Sequence, residues 1–155
     1  MKNGSITLVF FIGFLLTLQT AKAQSTTPSN MLGIRISSKD AAVNNSITYK
    51  RFFNPGIAVE GLLSFGDPVA LGVLLEKHKP FNNGSTSGLT WFYGAGAYVG
   101  FSGGRNLGAQ GIVGLDFVFP TVPVDLSLDW KPELNFTKQF SFEPSAVGFS
   151  ARFVF

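Results

Sequence analysis

Val122-Pro123-Val124-Asp125-Leu126-Ser127-Leu128-Asp129-Trp130-Lys131 sorts its residues by parity. Val122, Val124, Leu126, Leu128 and Trp130 fall on one face of an extended chain, and Asp125, Ser127, Asp129 and Lys131 on the other. Successive side chains of a β-strand point to opposite sides, so this is a strand with one greasy face and one ionic face. The end of the chain repeats the pattern. Val147, Phe149, Ala151, Phe153 and Phe155 alternate with Gly148, Ser150, Arg152 and Val154.

The same rhythm runs backwards through the chain. Period-two segments fall at 31–38, 46–53, 56–66, 68–78, 89–101, 107–119, 122–136 and 145–155, which predicts eight strands. Turn formers separate them: Asn54-Pro55-Gly56, Gly66-Asp67-Pro68, Asn82-Asn83-Gly84, Ser102-Gly103-Gly104 and the stretches 40–45, 120–123 and 140–144. Connections this short make sequential strands antiparallel neighbours, so an up-and-down order is expected. No second apolar run approaches the length of a spanning helix.

Parity extended to all eight strands collects Arg35, Lys50, Glu60, Glu76, Asp116, Asp125, Asp129, Lys131, Glu133 and Arg152 on the less apolar face. Arg51 and Lys77 fall on the apolar face, near strand ends, where a long cationic side chain reaches toward headgroups. Alternation by itself does not say which face is inside. Aromatic placement breaks the tie: Phe53, Trp91, Tyr93, Phe117, Phe119, Phe153 and Phe155 gather toward one rim of the apolar face. Phe65, Phe101, Trp130, Phe136 and Phe149 gather toward the other. Two aromatic girdles around an aliphatic band are what a lipid-facing barrel exterior requires. The expected fold is therefore all-β, a closed antiparallel up-and-down eight-stranded transmembrane β-barrel. Its lumen is too narrow for an open channel and is filled by a salt-bridge network of the ten charged residues. Gly94, Gly96, Gly100, Gly108 and Gly114 lie on the inner face beside Phe92, Tyr98 and Gln110, small beside large as a narrow interior demands.

Composition agrees with export and with lipid. Lys2 precedes a thirteen-residue apolar run, Ile6 to Leu18, followed by Ala21-Lys22-Ala23, the outline of a cleaved signal peptide over residues 1–23. Residues 24–30 are then a short N-terminal segment and 31–155 the barrel. Seventeen Phe and eighteen Gly with 14% charged residues suit a sheet that meets acyl chains. Loss of Lys2 and Lys22 leaves ten basic against nine acidic residues, and no basic cluster interleaves with aromatics, so nucleic acid is not an expected partner. The absence of Cys removes disulfides, thiolate metal sites and thiol nucleophiles, and no cofactor is expected.

The signal segment, the eight alternating strands and the aromatic-ended Val147 to Phe155 stretch resemble the small bacterial outer-membrane β-barrel family. Gly114-Leu-Asp-Phe and Asp125-Leu-Ser-Leu-Asp-Trp-Lys-Pro are similar to stretches of its uncharacterised members. The resemblance implies an outer-membrane location in a Gram-negative bacterium, with the bilayer and lipopolysaccharide as partners. It also implies Phe155 as part of the C-terminal signal presented to the barrel-assembly machinery. Both termini are then periplasmic, outer loops fall at 38–46, 66–68, 102–106 and 137–144, and 79–88 is an unusually long periplasmic turn.

Some barrels that this chain resembles are lipid A deacylases with a Ser, His and acid site. Their serine closely follows the histidine, whereas here Lys79-Pro80 follows His78, the sole histidine; Glu76 with Ser85 or Ser87 would have to complete the site. The expectation is a non-enzymatic membrane protein with a structural or surface-interaction role. The alternatives are a lipid A-modifying hydrolase, a pore formed by associated chains, and a soluble periplasmic barrel binding an apolar ligand inside its greasy face. Asp125, Asp129 and Glu133, spaced by four, are read as partners of lumen cations rather than as an acid–base or cation site.

Overall fold

The computed structural model describes residues 30–38, 42–66, 69–81, 88–101, 106–137, 140–144 and 146–155. The expected signal peptide, residues 24–29, Ser85 and Ser87 lie outside the described residues. Ten strands form one sheet: β1 (Asn30–Ser37), β2 (Ser46–Asn54), β3 (Ile57–Ser64), β4 (Ala70–Pro80), β5 (Leu89–Gly100), β6 (Asn106–Val118), β7 (Val124–Trp130), β8 (Glu133–Asn135), β9 (Ser141–Glu143) and β10 (Val147–Val154).

The ten strands make eight staves of a closed antiparallel barrel in up-and-down order. β7 and β8 keep one register against β6, from Val113 opposite Trp130 to Gln110 opposite Glu133, and so form one stave. Pro132 has no N–H to offer the ladder, but its carbonyl accepts from Gly111 N at 2.9 Å. β9 and β10 form the last stave. Between the pairs Trp130–Val147 and Glu133–Glu143 there are two residues on one stave and three on the other, a β-bulge. Trp130 Nε1 crosses this bulge to the carbonyl of Pro144 at 2.5 Å. Closure comes from β1 against β10, from Met31 opposite Val154 to Ser37 opposite Gly148. Phe155 N donates to Asn30 O at 2.9 Å, extending the seam to the end of the chain. Every stave has a hydrogen-bonded neighbour on both sides, β9 alone pairing on one side only, with β8, and this closure pairs the backbone groups that hydrocarbon would not solvate.

Burial follows residue parity. β4 buries Ala70, Gly72, Leu74, Glu76 and His78 and exposes Leu71, Val73, Leu75, Lys77 and Lys79. The β2–β3 turn uses Pro55, with its preset φ, followed by Gly56 at φ 82°, a left-handed backbone that glycine adopts without strain. Gly56 O accepts from His78 N at 2.7 Å and so ties the turn to β4.

Several expected boundaries shift. β4 runs two residues further than 68–78, to Pro80, so the connection to β5 is shorter than 79–88 and Lys79 joins the outer face. The third strand begins at Ile57 because Gly56 belongs to the turn. The stretch 137–144, expected as a loop, contains β9, which pairs with β8 beyond the bulge. Glu143 and Pro144 hide this strand from a parity reading because the bulge shifts the pattern by one residue.

Candidate functional site

The ten charged residues singled out by parity are all buried in the lumen. They form two groups along the barrel axis. The larger lies toward the termini and centres on Arg152. Its Nη1 donates to Asp125 Oδ1 at 2.8 Å and Ser127 Oγ at 2.9 Å, its Nη2 to Glu60 Oε1 at 2.6 Å, and its Nε to Thr48 Oγ1 at 3.2 Å. Asp116 Oδ1 stands 3.9 Å from the same guanidinium. Thr48 also donates to Glu60. Lys50, wholly buried, reaches Glu76 at 2.9 Å and Asp116 at 3.8 Å, with its ammonium 4.6 Å above the Phe92 ring. A planar fork with five donors suits the hub of such a cluster, because it satisfies several acceptors in fixed directions.

The second group lies toward the opposite rim. Arg35 grips Asp129 through two contacts, Nη2 to Oδ1 at 2.5 Å and Nε to Oδ2 at 3.2 Å. Gly148 makes this possible, since a Cβ there would collide with the Arg35 guanidinium. Lys131 donates to Glu133 and, at 3.2 Å, to Gln110 Oε1. Glu133 then accepts from Ala42 N at 2.7 Å and Val43 N at 3.3 Å. The first inter-strand connection is thereby drawn inward, and Val43 is fully buried against Leu62, Ala70, Leu74, Phe92, Tyr98 and Ile112. The lumen is therefore filled by an apolar cluster packed beside two ion networks.

His78 faces the lumen and is 6% exposed. Its Nε2 lies 2.9 Å from Glu76 Oε2 and its Nδ1 3.4 Å from Thr90 Oγ1, and its ring stacks on Phe92 at 4.9 Å between centroids. Phe52 meets the other side edge-on at 4.9 Å. Among the described residues, no group of three or more His, Cys, Asp or Glu is arranged to hold a metal ion.

The outer surface is the inverse of the lumen. Leu128 is 54% and Trp130 44% exposed, while their neighbours Asp125 and Asp129 are buried. Phe53, Tyr93, Phe153 and Phe155 lie on the terminus-side half of this surface with Trp91, Phe117 and Phe119. Trp91 stacks with Tyr93 and Phe153 with Phe155, while Phe117 meets Phe119 edge-to-face. Phe65, Phe101, Trp130, Phe136 and Phe149 are exposed toward the other rim. Phe140 and Phe142 stand exposed near that second group.

Among the neutral members of the network, parity places Ser127 and Gln110 on the inner face but does not single out Thr48 and Thr90. Thr48 shares β2 with Lys50, and its even spacing from that residue marks it as inward-facing; Thr90 lies on β5, which has no charged residue to flag it. Nothing in the local sequence around Ala42-Val43 indicates a lumen plug.

The chain matches no family model, and no curated protein or solved structure matches it.

Proposed function

We propose that the chain is an integral outer-membrane β-barrel protein of a Gram-negative envelope, with a plugged polar lumen and a structural or surface-interaction role. One observation carries the reading: the barrel is inside out relative to a water-soluble protein. Most of its large aliphatic and aromatic side chains point outward while ten charged side chains are buried inside. Soluble monomers rarely expose contiguous apolar patches beyond a few hundred Å². A lipid-facing band between aromatic girdles accounts for this surface, and closure of the sheet satisfies its backbone without water.

The same orientation argues against the soluble ligand-binding alternative, which needs the greasy face turned inward. The hydrolase alternative gains no support from His78, which is enclosed by Phe52, Phe92 and Glu76 and has little surface to offer a lipid ester. The reading carries with it the bilayer and lipopolysaccharide as surroundings, and the barrel-assembly machinery as the partner that recognises the Phe155 end. Cell fractionation tests it. Recovery in the outer membrane, with slower gel migration after boiling than before, is the expected outcome. A detergent-free soluble monomer in the periplasm refutes it.

A further inference from the structure

The terminus-side rim carries a charge pattern that the lumen network does not use. Arg51, Lys77 and Lys79 are exposed on the outer face of β2 and β4, and among the described residues none of them is ion-paired to a carboxylate. The described side-chain carboxylates lie elsewhere, six in the lumen and Glu143 in β9 near the opposite rim. The connection 81–88 that adjoins the lysines contains no charged residue. This rim of the outer face thus carries three cations that, among the described residues, no side-chain carboxylate neutralises. Two of the three cations are seated on an aromatic: the Lys79 ammonium is 5.3 Å from the Trp91 ring and 5.6 Å from the Tyr93 ring, and the Arg51 guanidinium is 5.4 Å from Phe53. Lys77 pairs across the ladder with Tyr93 and Lys79 with Trp91, so the two ammoniums flank one aromatic shelf.

Directly beside the shelf, an open groove of about 790 Å³ begins at Lys79 and Phe81 and continues over Trp91 to the apolar side chains of Val113 and Leu115. Cations at a headgroup level and an apolar furrow leading away from them match the two ends of one molecule. We propose that this surface is a docking site for an anionic glycerophospholipid, its phosphate between Lys77 and Lys79 and an acyl chain along the groove toward Val113 and Leu115. The site rests on the membrane reading above and adds to it a lipid preference confined to one rim. A phosphate there supplies the charge these side chains lack, while Trp91 and Tyr93 sit at the interfacial depth that amphipathic rings favour.

The two tryptophans of the chain make the test internal, because Trp91 lies in the site and Trp130 is exposed toward the opposite rim. Trp130→Phe and Trp91→Phe variants each leave one reporter. The purified protein is placed in phosphatidylcholine vesicles with a minor fraction of phosphatidylglycerol, with brominated acyl chains on one lipid species at a time. Bromine on phosphatidylglycerol should quench Trp91 as though that lipid were enriched about fivefold over its bulk fraction, and Trp130 only at the bulk fraction. The enrichment should disappear in Lys77→Gln/Lys79→Gln and, with no substitution in the site, on raising salt. Equal quenching of both reporters by brominated phosphatidylglycerol, or an enrichment indifferent to salt, overturns the lipid site. In that case, quenching of both by brominated phosphatidylcholine leaves the membrane reading standing. No quenching of either tryptophan by any brominated lipid overturns both.

Discussion

Replacing Arg152 with Met should destabilise the barrel more than any other single truncation of similar size. Among the described residues, Arg152 is the sole cation touching Asp125 and Glu60 within 3 Å, with contacts at 2.8 and 2.6 Å, and it also holds Ser127 and Thr48. Methionine keeps most of the volume, so the loss is electrostatic rather than a cavity. Both carboxylates would then be buried without their ion-pair partner, and breaking a buried pair by removing one partner costs about 3–5 kcal/mol. That corresponds to about two to four decades in the folding equilibrium. Reversible denaturant titration in micelles, followed by circular dichroism and by gel mobility of the unboiled protein, measures it. The triple variant R152M/E60Q/D125N should recover most of the loss, because the penalty lies in the orphaned charges and not in the missing contacts. A cost below about 1 kcal/mol for Arg152→Met, or no recovery in the triple variant, would falsify the view that the lumen is a closed, mutually neutralising network.

Three further outcomes follow from other parts of the barrel. On the outer face, Val73→Arg replaces a 56% exposed aliphatic in the middle of β4 and should cost about 2–4 kcal/mol in vesicles, whereas a water-facing position would lose under about 0.5. Gly114→Ala should cost about 1–3 kcal/mol in the same titration, since a Cβ there meets Leu128 O at 2.5 Å and Phe92 Cζ at 2.8 Å. Gly61→Ala, whose Cβ finds Tyr49 O at an ordinary 3.9 Å, should be neutral within about 0.5; equal costs at the two glycines would show that interior crowding is not the cause. Finally, Glu133→Ala should raise hydrogen exchange at the Ala42 and Val43 amides by about tenfold or more by removing a charge-assisted acceptor. Unchanged protection would mean that the apolar seat of Val43 alone holds the plug.

The amino-acid sequence by itself determined the two-sided ribbons, their number as staves and the membership of the charged face. Those are one-dimensional properties: period two assigns Asp125, Ser127 and Asp129 to one side of a strand whatever that strand later packs against. Sorting of Phe and Trp toward strand ends was equally readable, because depth along a stave is position along the chain. Tertiary structure alone decided who meets whom. Arg152 and Glu60 are 92 residues apart and Arg35 and Asp129 94, and their pairing depends on the stagger accumulated around the closed sheet. Single strands carry no record of that stagger. The bulge that hid β9 is of the same kind, since it exists only as a difference in register between two staves. The inward turn of Ala42-Val43 depends on a Glu133 carboxylate 91 residues away. Local alternation reflects where each side chain points, while the network and the plug reflect distances that only closure of the barrel creates.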